Sequence, residues 1–178
     1  GSGDFAATDV ISAGTGTDKV IISGDGNKVS SVTQLGGVEV LELAGTKVTL
    51  TKAAVDLLLG DDHSLTTIKG SSDTSEVTFE VAASQTFDLT KLTFDSLKSV
   101  TFDIPAATTG TSVVKLTAAQ IGQVGEIKLD GTETITINTT VAGLAALGTK
   151  KPDNATVTVT DTTENLLNAG TSLSAVDV

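Results

Sequence analysis

The chain contains no cysteine, methionine, tryptophan, tyrosine or arginine, and a single histidine. Without cysteine, neither disulfides nor thiolate metal sites can form, so stability must come from packing and backbone ladders. Without arginine, the eleven basic residues are all lysine, and the bidentate forks that favour phosphate and base recognition cannot be built. A net charge of −11 points the same way, and nucleic acid is a poor partner. No run of about eighteen apolar residues occurs, which argues against a membrane span. The catalytic inventory is equally thin. His63 sits in Asp61-Asp62-His63-Ser64, but neighbours on a turn point apart, whereas a triad needs side chains converging from separate segments. One histidine also argues against zinc. Asp88, Asp95 and Asp103 are the carboxylates that a polysaccharide-cleaving enzyme could draw on. The chain nevertheless offers no arginine for charge stabilisation and no broad aromatic platform for sugar rings, so the expectation is a non-enzyme.

What is abundant is threonine, valine, leucine, alanine, glycine and serine, a strand composition. Period-two runs such as Val38 to Leu43 and Lys47 to Leu50 are separated by turns and followed by apolar patches of helical period, here Ala53 to Gly60. The order recurs at Glu126 to Leu129, Thr134 to Ile137 and Val141 to Gly148. Taking the last aliphatic of each second run as a landmark gives Val29, Leu50, Leu89, Leu116, Ile137 and Val159, with steps of 21, 39, 27, 21 and 22. The long step has room for two coils, its missing member falling at Leu65 to Lys69, and an insertion around Pro105 to Gly110 lengthens the next. A period near 21 or 22 is what stacked coils produce, each burying its apolar face against the next. The expected fold is all-β: a parallel β-solenoid or β-roll with short corner helices, in which Val55, Leu58 and Leu59, then Ile121 and Val124, then Val141, Leu144 and Leu147 cover one edge. An antiparallel β-sandwich is the alternative, since it too needs turns every 8–12 residues. Thr-x-Thr pairs at Thr49/Thr51, Thr134/Thr136 and Thr156/Thr158/Thr160 would form a water-ordering ladder if continuous. Their absence near Leu89 and Leu116 predicts a broken one.

Near the N-terminus the period shortens. Ala13-Gly14-Thr15-Gly16-Thr17-Asp18-Lys19-Val20-Ile21 follows a glycine-glycine-x-glycine-x-aspartate-x-aliphatic-x nonapeptide with alanine first. Nine residues before, Asp9 and Ile11 fill the aspartate and aliphatic places, and nine after, Asn27 and Val29 do. Glycine lets such turns adopt positive φ and aim carbonyls inward, and an aspartate adds a charged hard oxygen. The alternative is a glycine-rich loop that turns between strands and binds nothing. Residues 4 to 30 resemble the repeats-in-toxin family of secreted bacterial proteins, although Phe5-Ala6-Ala7 replaces the first glycines and Ser23-Gly24-Asp25-Gly26 shifts the last. That resemblance implies calcium as cofactor, with Asp9, Gly14, Gly16, Asp18, Gly24, Asp25, Gly26 and Asn27 as candidate ligands. It also implies that repeats two apart share an ion, Asp9 and Asn27 facing one row and Asp18 the other.

Gly1-Ser2-Gly3 reads as a tag remnant, 4–35 as roll turns and 36–178 as wider coils of one continuous domain. Because the chain begins and ends in repeat-like sequence, it reads as a piece of a longer protein whose export signals lie elsewhere. The expected function is a structural segment of a secreted, calcium-binding bacterial cell-surface protein, similar to surface-layer proteins and giant adhesins. Its partners would be calcium, neighbouring repeats or laterally associated copies, and cell-surface polysaccharide. An adhesin module holding a glycan or protein ligand is the second reading.

Overall fold

The computed structural model describes residues 11–24, 26–29, 35–58, 64–70, 73–81, 84–104, 112–130 and 135–169. The chain winds through β1 (Ile11–Ser12), β2 (Lys19–Ile22), β3 (Asn27–Val29), β4 (Leu35–Gly36), β5 (Val40–Leu43), β6 (Lys47–Leu50) and helix α1 (Lys52–Leu58). It continues as β7 (Thr67–Gly70), β8 (Glu76–Glu80), β9 (Thr86–Asp88), β10 (Thr93–Asp95), β11 (Leu97–Asp103), β12 (Ser112–Lys115) and α2 (Ala118–Gly122). Then come β13 (Val124–Asp130), β14 (Ile135–Thr139), α3 (Val141–Leu147), a 3-10 turn at Gly148–Lys150, β15 (Ala155–Val159) and α4 (Thr163–Ala169).

Strands pair with their counterparts one coil away, always in parallel: β2-β5-β7-β10 on one side, β3-β6-β8-β11-β13 on the second and β9-β12-β14-β15 on the third, with a short β1-β4 ladder. The molecule is therefore a parallel β-solenoid of about four turns, not a sandwich. Inward residues stack in like rows along the axis. Val48, Val77, Val100 and Ile127 make one, and Leu50, Phe79, Phe102 and Leu129 the next. Period two is enforced because every second side chain enters this interior while its neighbours face water.

The registers set unequal coils, the shortest running from Ile135 to Ala155 and the longest from Lys47 to Glu76, so the period is looser than the landmark spacing implied. The residue stacked on Leu50 is Phe79, whereas Leu89 follows β9 on the third side. The long landmark step thus joined two sides of the solenoid. Leu65 to Lys69 leads into β7, which stacks on β5 and not on β6. The landmark residues Leu116 and Ile137 are both buried but on different rows, Ile137 pairing with Val114 and Val157. Pro105 to Gly110 lies outside the described residues.

The helices fill sides of the coil that strands occupy elsewhere. Beyond β10 the first side continues as α2, α3 and α4, each packed on the last, and α1 packs beside β6 and β8. Helices this short have no independent stability, and each relies on a threonine placed where a strand ends. The hydroxyls of Thr51, Thr117, Thr140 and Thr162 accept from the N–H groups of Ala54, Gln120, Gly143 and Asn165 at 3.5, 3.1, 3.2 and 3.2 Å. Thr51, expected in an outward threonine pair, is such a cap. Val55, Ile121 and Leu147 are buried as expected of corner patches, Val124 is buried as the first residue of β13, and Val141 and Leu144 are partly buried. The side chain of Leu58, and Leu59 altogether, lie outside the described residues.

Candidate functional site

The nine-residue repeat runs around one coil. Ile11, Val20 and Val29 fall on β1, β2 and β3, which stack on β4, β5 and β6 respectively and not on one another. Repeats two apart therefore do not share a ladder, in contrast to the alternating two-sided arrangement that the resemblance implied. The reason is coil length: three sides enclose an interior wide enough for Leu41, Leu43 and Leu50, and the coil closes only once the chain has run from Lys19 to Val40.

Of the candidate ligands, Asp9 and Asp25 lie outside the described residues, as does the side chain of Asn27. Gly14 and Gly16 form an exposed turn, with Gly16 at φ 129°, and Gly24 and Gly26 turn at φ 93° and 79°. Asp18 is held at the start of β2: its carbonyl accepts from the N–H groups of Glu39 and Val40, both at 3.1 Å, and its own N–H donates to Glu39 Oε2 at 2.8 Å. One oxygen, Asp18 Oδ2, is buried and has no hydrogen-bond partner. A buried carboxylate oxygen without a donor, beside a second carboxylate, suits a hard cation. At the next corner the fit is poorer, because the carbonyl of Gly24 already accepts from the hydroxyl of Thr46, a buried residue of the following coil. Among the described residues no three acidic or imidazole side chains converge as a metal-binding group.

Outward charges are coupled from coil to coil. Lys19 meets Glu42 at 2.9 Å, Lys69 meets Asp95 at 3.6 Å and Lys115 meets Asp88 at 3.1 Å. Glu76 stands between Lys47 at 3.3 Å and Lys98 at 2.7 Å. The hydrogen bond from Lys98, helped by Lys47, holds the Glu76 carboxyl below the usual range despite its partial burial. Asp88 is lowered by the Thr90 hydroxyl first and by Lys115 as well.

Asp88, Asp95 and Asp103 are not brought together: they lie on β9, β10 and β11, one on each side of the solenoid. Asp103 instead stands in register with Glu80 and Asp130 on adjacent strands. A second file, Thr49, Thr78 and Thr101, runs beside it. Neither file is visible along the chain, because the carboxylates meet only once β8, β11 and β13 are placed in register, and the threonines only once β6 joins β8 and β11. On another side, Thr136 and Thr156 share a hydroxyl contact of 2.9 Å.

A shallow groove of about 460 Å³ lies where β10 gives way to α2, edged by Thr67, Thr93, Asp95, Thr117 and Gln123 over the buried Phe94. No described helix is long and apolar enough to cross a membrane. Fold and surface together define a parallel β-solenoid whose charged side chains link successive coils. No protein-family model, no curated protein and no solved structure matches the chain.

Proposed function

We propose that the chain is a non-enzymatic structural segment of a secreted, calcium-binding cell-surface protein of surface-layer type. The observation that carries this reading is the coupling of lysines to carboxylates on neighbouring coils, which commits the outward charges to one another along the stack. The acidic, cysteine-free composition supports an extracellular setting, and the glycine-aspartate nonapeptide supports calcium. Asp18 would hold the ion with its unpartnered oxygen, and the turn of Gly14 and Gly16 would supply carbonyls. Calcium would add charge neutralisation and tie the first coil to the second, where Glu39 lies. A module that binds a cell-surface glycan is the second reading, favoured by the hydroxyl-edged groove between β10 and α2.

Calcium should raise the melting temperature, because an ion bound only by the folded coil shifts the equilibrium by about 2.7 kcal/mol per site at a hundred times its dissociation constant. Melting in excess chelator and in millimolar calcium checks this, beside a count of bound ions by native mass spectrometry. Asp18→Asn should remove most of the shift. Identical curves in chelator and calcium would overturn the calcium reading and leave the solenoid intact.

A further inference from the structure

We propose that Glu80, Asp103 and Asp130 form a proton-operated seam across β8, β11 and β13. With a proton on Asp103 the carboxyls hydrogen-bond along the file and draw the strands together, and with Asp103 ionised they repel. The geometry is set by the backbone: Asp103 is the register partner of Glu80 on one side and of Asp130 on the other. Adjacent parallel strands stand about 4.8 Å apart, so neighbouring carboxyls in a file are within reach of one another. Like charges directly opposed on neighbouring strands are destabilising. Lys28, reaching across from β3, contacts Glu80 Oε1 at 3.4 Å and is the cation that faces Asp103. Glu80 is thereby partly neutralised, whereas Asp103 stands beside Asp130 in the register with no ion pair of its own among the described residues. Glu76, Asp88 and Asp95 differ in this respect, for each meets a lysine from an adjacent strand.

Burial first, and then Asp130 and Glu80, hold the Asp103 carboxyl above the usual aspartate range, with Lys28 drawing it the other way. A carboxyl whose folded-state affinity for the proton exceeds its unfolded one contributes stability while protonated, and that contribution is lost as pH rises through its folded-state titration. The seam therefore tightens toward mild acid and loosens toward neutrality. Because the whole acidic chain also repels itself less in acid, the variant Asp103→Asn isolates the seam: it keeps the shape and removes the titration.

The test is thermal melting of the wild type and Asp103→Asn from pH 7.5 to 4, in chelator so that calcium plays no part. The variant should melt a few degrees higher at pH 7.5, and the gap should narrow steadily as the pH falls. Carbon-detected NMR titration of the Asp103 carboxyl should place its midpoint above that of a free aspartate, and Asp130→Asn should lower that midpoint. No gap at neutral pH, a gap that does not narrow, or a midpoint that Asp130→Asn leaves in place would each overturn the proposal.

Discussion

Phe79→Ala should lower the unfolding free energy by about 3–5 kcal/mol, the range for removing a fully buried phenylalanine without collapse of the space it leaves. Phe79 is 0 % exposed. Its ring stacks on Phe102 of the next coil at 5.8 Å and 19° and tilts against Phe94 across the interior at 6.1 Å. It also continues the row that begins at Val29 and Leu50. Rows of this kind cannot close over a gap, because each strand is held at fixed spacing by ladders on both sides, so the cavity term should be near its full value. Lys115→Ala, on an outward row, should change stability by no more than about 0.5 kcal/mol, since its exposed pair with Asp88 is worth little in water. Equilibrium urea unfolding of the two variants checks both. Comparable losses would mean that the inward and outward faces are misassigned.

The fold class was legible because two periodicities recur in phase: alternating runs bounded by glycine turns, then a helical patch. That phase favours coils over sandwich strands. Which run stacks on which was not legible. The run Glu76-Val77-Thr78-Phe79-Glu80 alternates as clearly as Lys47 to Leu50, yet it does not fall at the spacing of the other coils. The corner helix α1 and the residues that follow it lengthen that coil, which closes only from Lys47 to Glu76. Corners absorb length freely because they face outward, whereas strands cannot, so a solenoid keeps its rows while its period drifts. The helix-capping threonines were open to view at Thr51, Thr117, Thr140 and Thr162, each at the mouth of an apolar patch. At Thr51 the signal was obscured because Thr49 and Thr51 also fit the alternation of an outward strand pair.

The candidate sites were legible to a different degree. The glycine-aspartate nonapeptide marked a turn with positive φ at Gly16, Gly24 and Gly26, because that requirement is local. The way the repeats close was not local, since it depends on how much interior the coil encloses, and leucines at 41, 43 and 50 make that interior three-sided. Asp88, Asp95 and Asp103 looked like neighbours along the chain, but a chain turning a corner every strand sends them to three separate sides. Glu80 and Asp130, each a full coil away, are the carboxylates that stand beside Asp103. In a parallel stack, proximity follows the coil length and not the distance along the chain.

The same principle identifies Gln120, a residue that no motif singled out, as the polar link where strand gives way to helix. It is 3 % exposed, and its amide Nε2 donates to the carbonyls of Leu89 and Leu92 at 2.6 and 2.7 Å, one coil earlier in the chain. Its Oε1 accepts from the N–H of Thr117 at 2.7 Å, while its own N–H donates to the Thr117 hydroxyl and closes a capping box. One side chain thus fastens the corner between β9 and β10 to the first helix of the α2-α3-α4 column. Gln120→Leu keeps the volume and removes the amide, leaving the carbonyl of the buried Leu92 and the part-buried N–H of Thr117 without that partner. The expected loss is about 2–3 kcal/mol, because an orphaned buried polar group costs its full desolvation. Thr117→Ala removes only the cap and should cost about 1 kcal/mol. The double variant should fall short of the sum, since both residues serve one capping box. Urea unfolding of the three proteins measures this directly. A Gln120→Leu variant as stable as the wild type would mean that α2 is held by apolar packing alone and that the corner carbonyls find other donors.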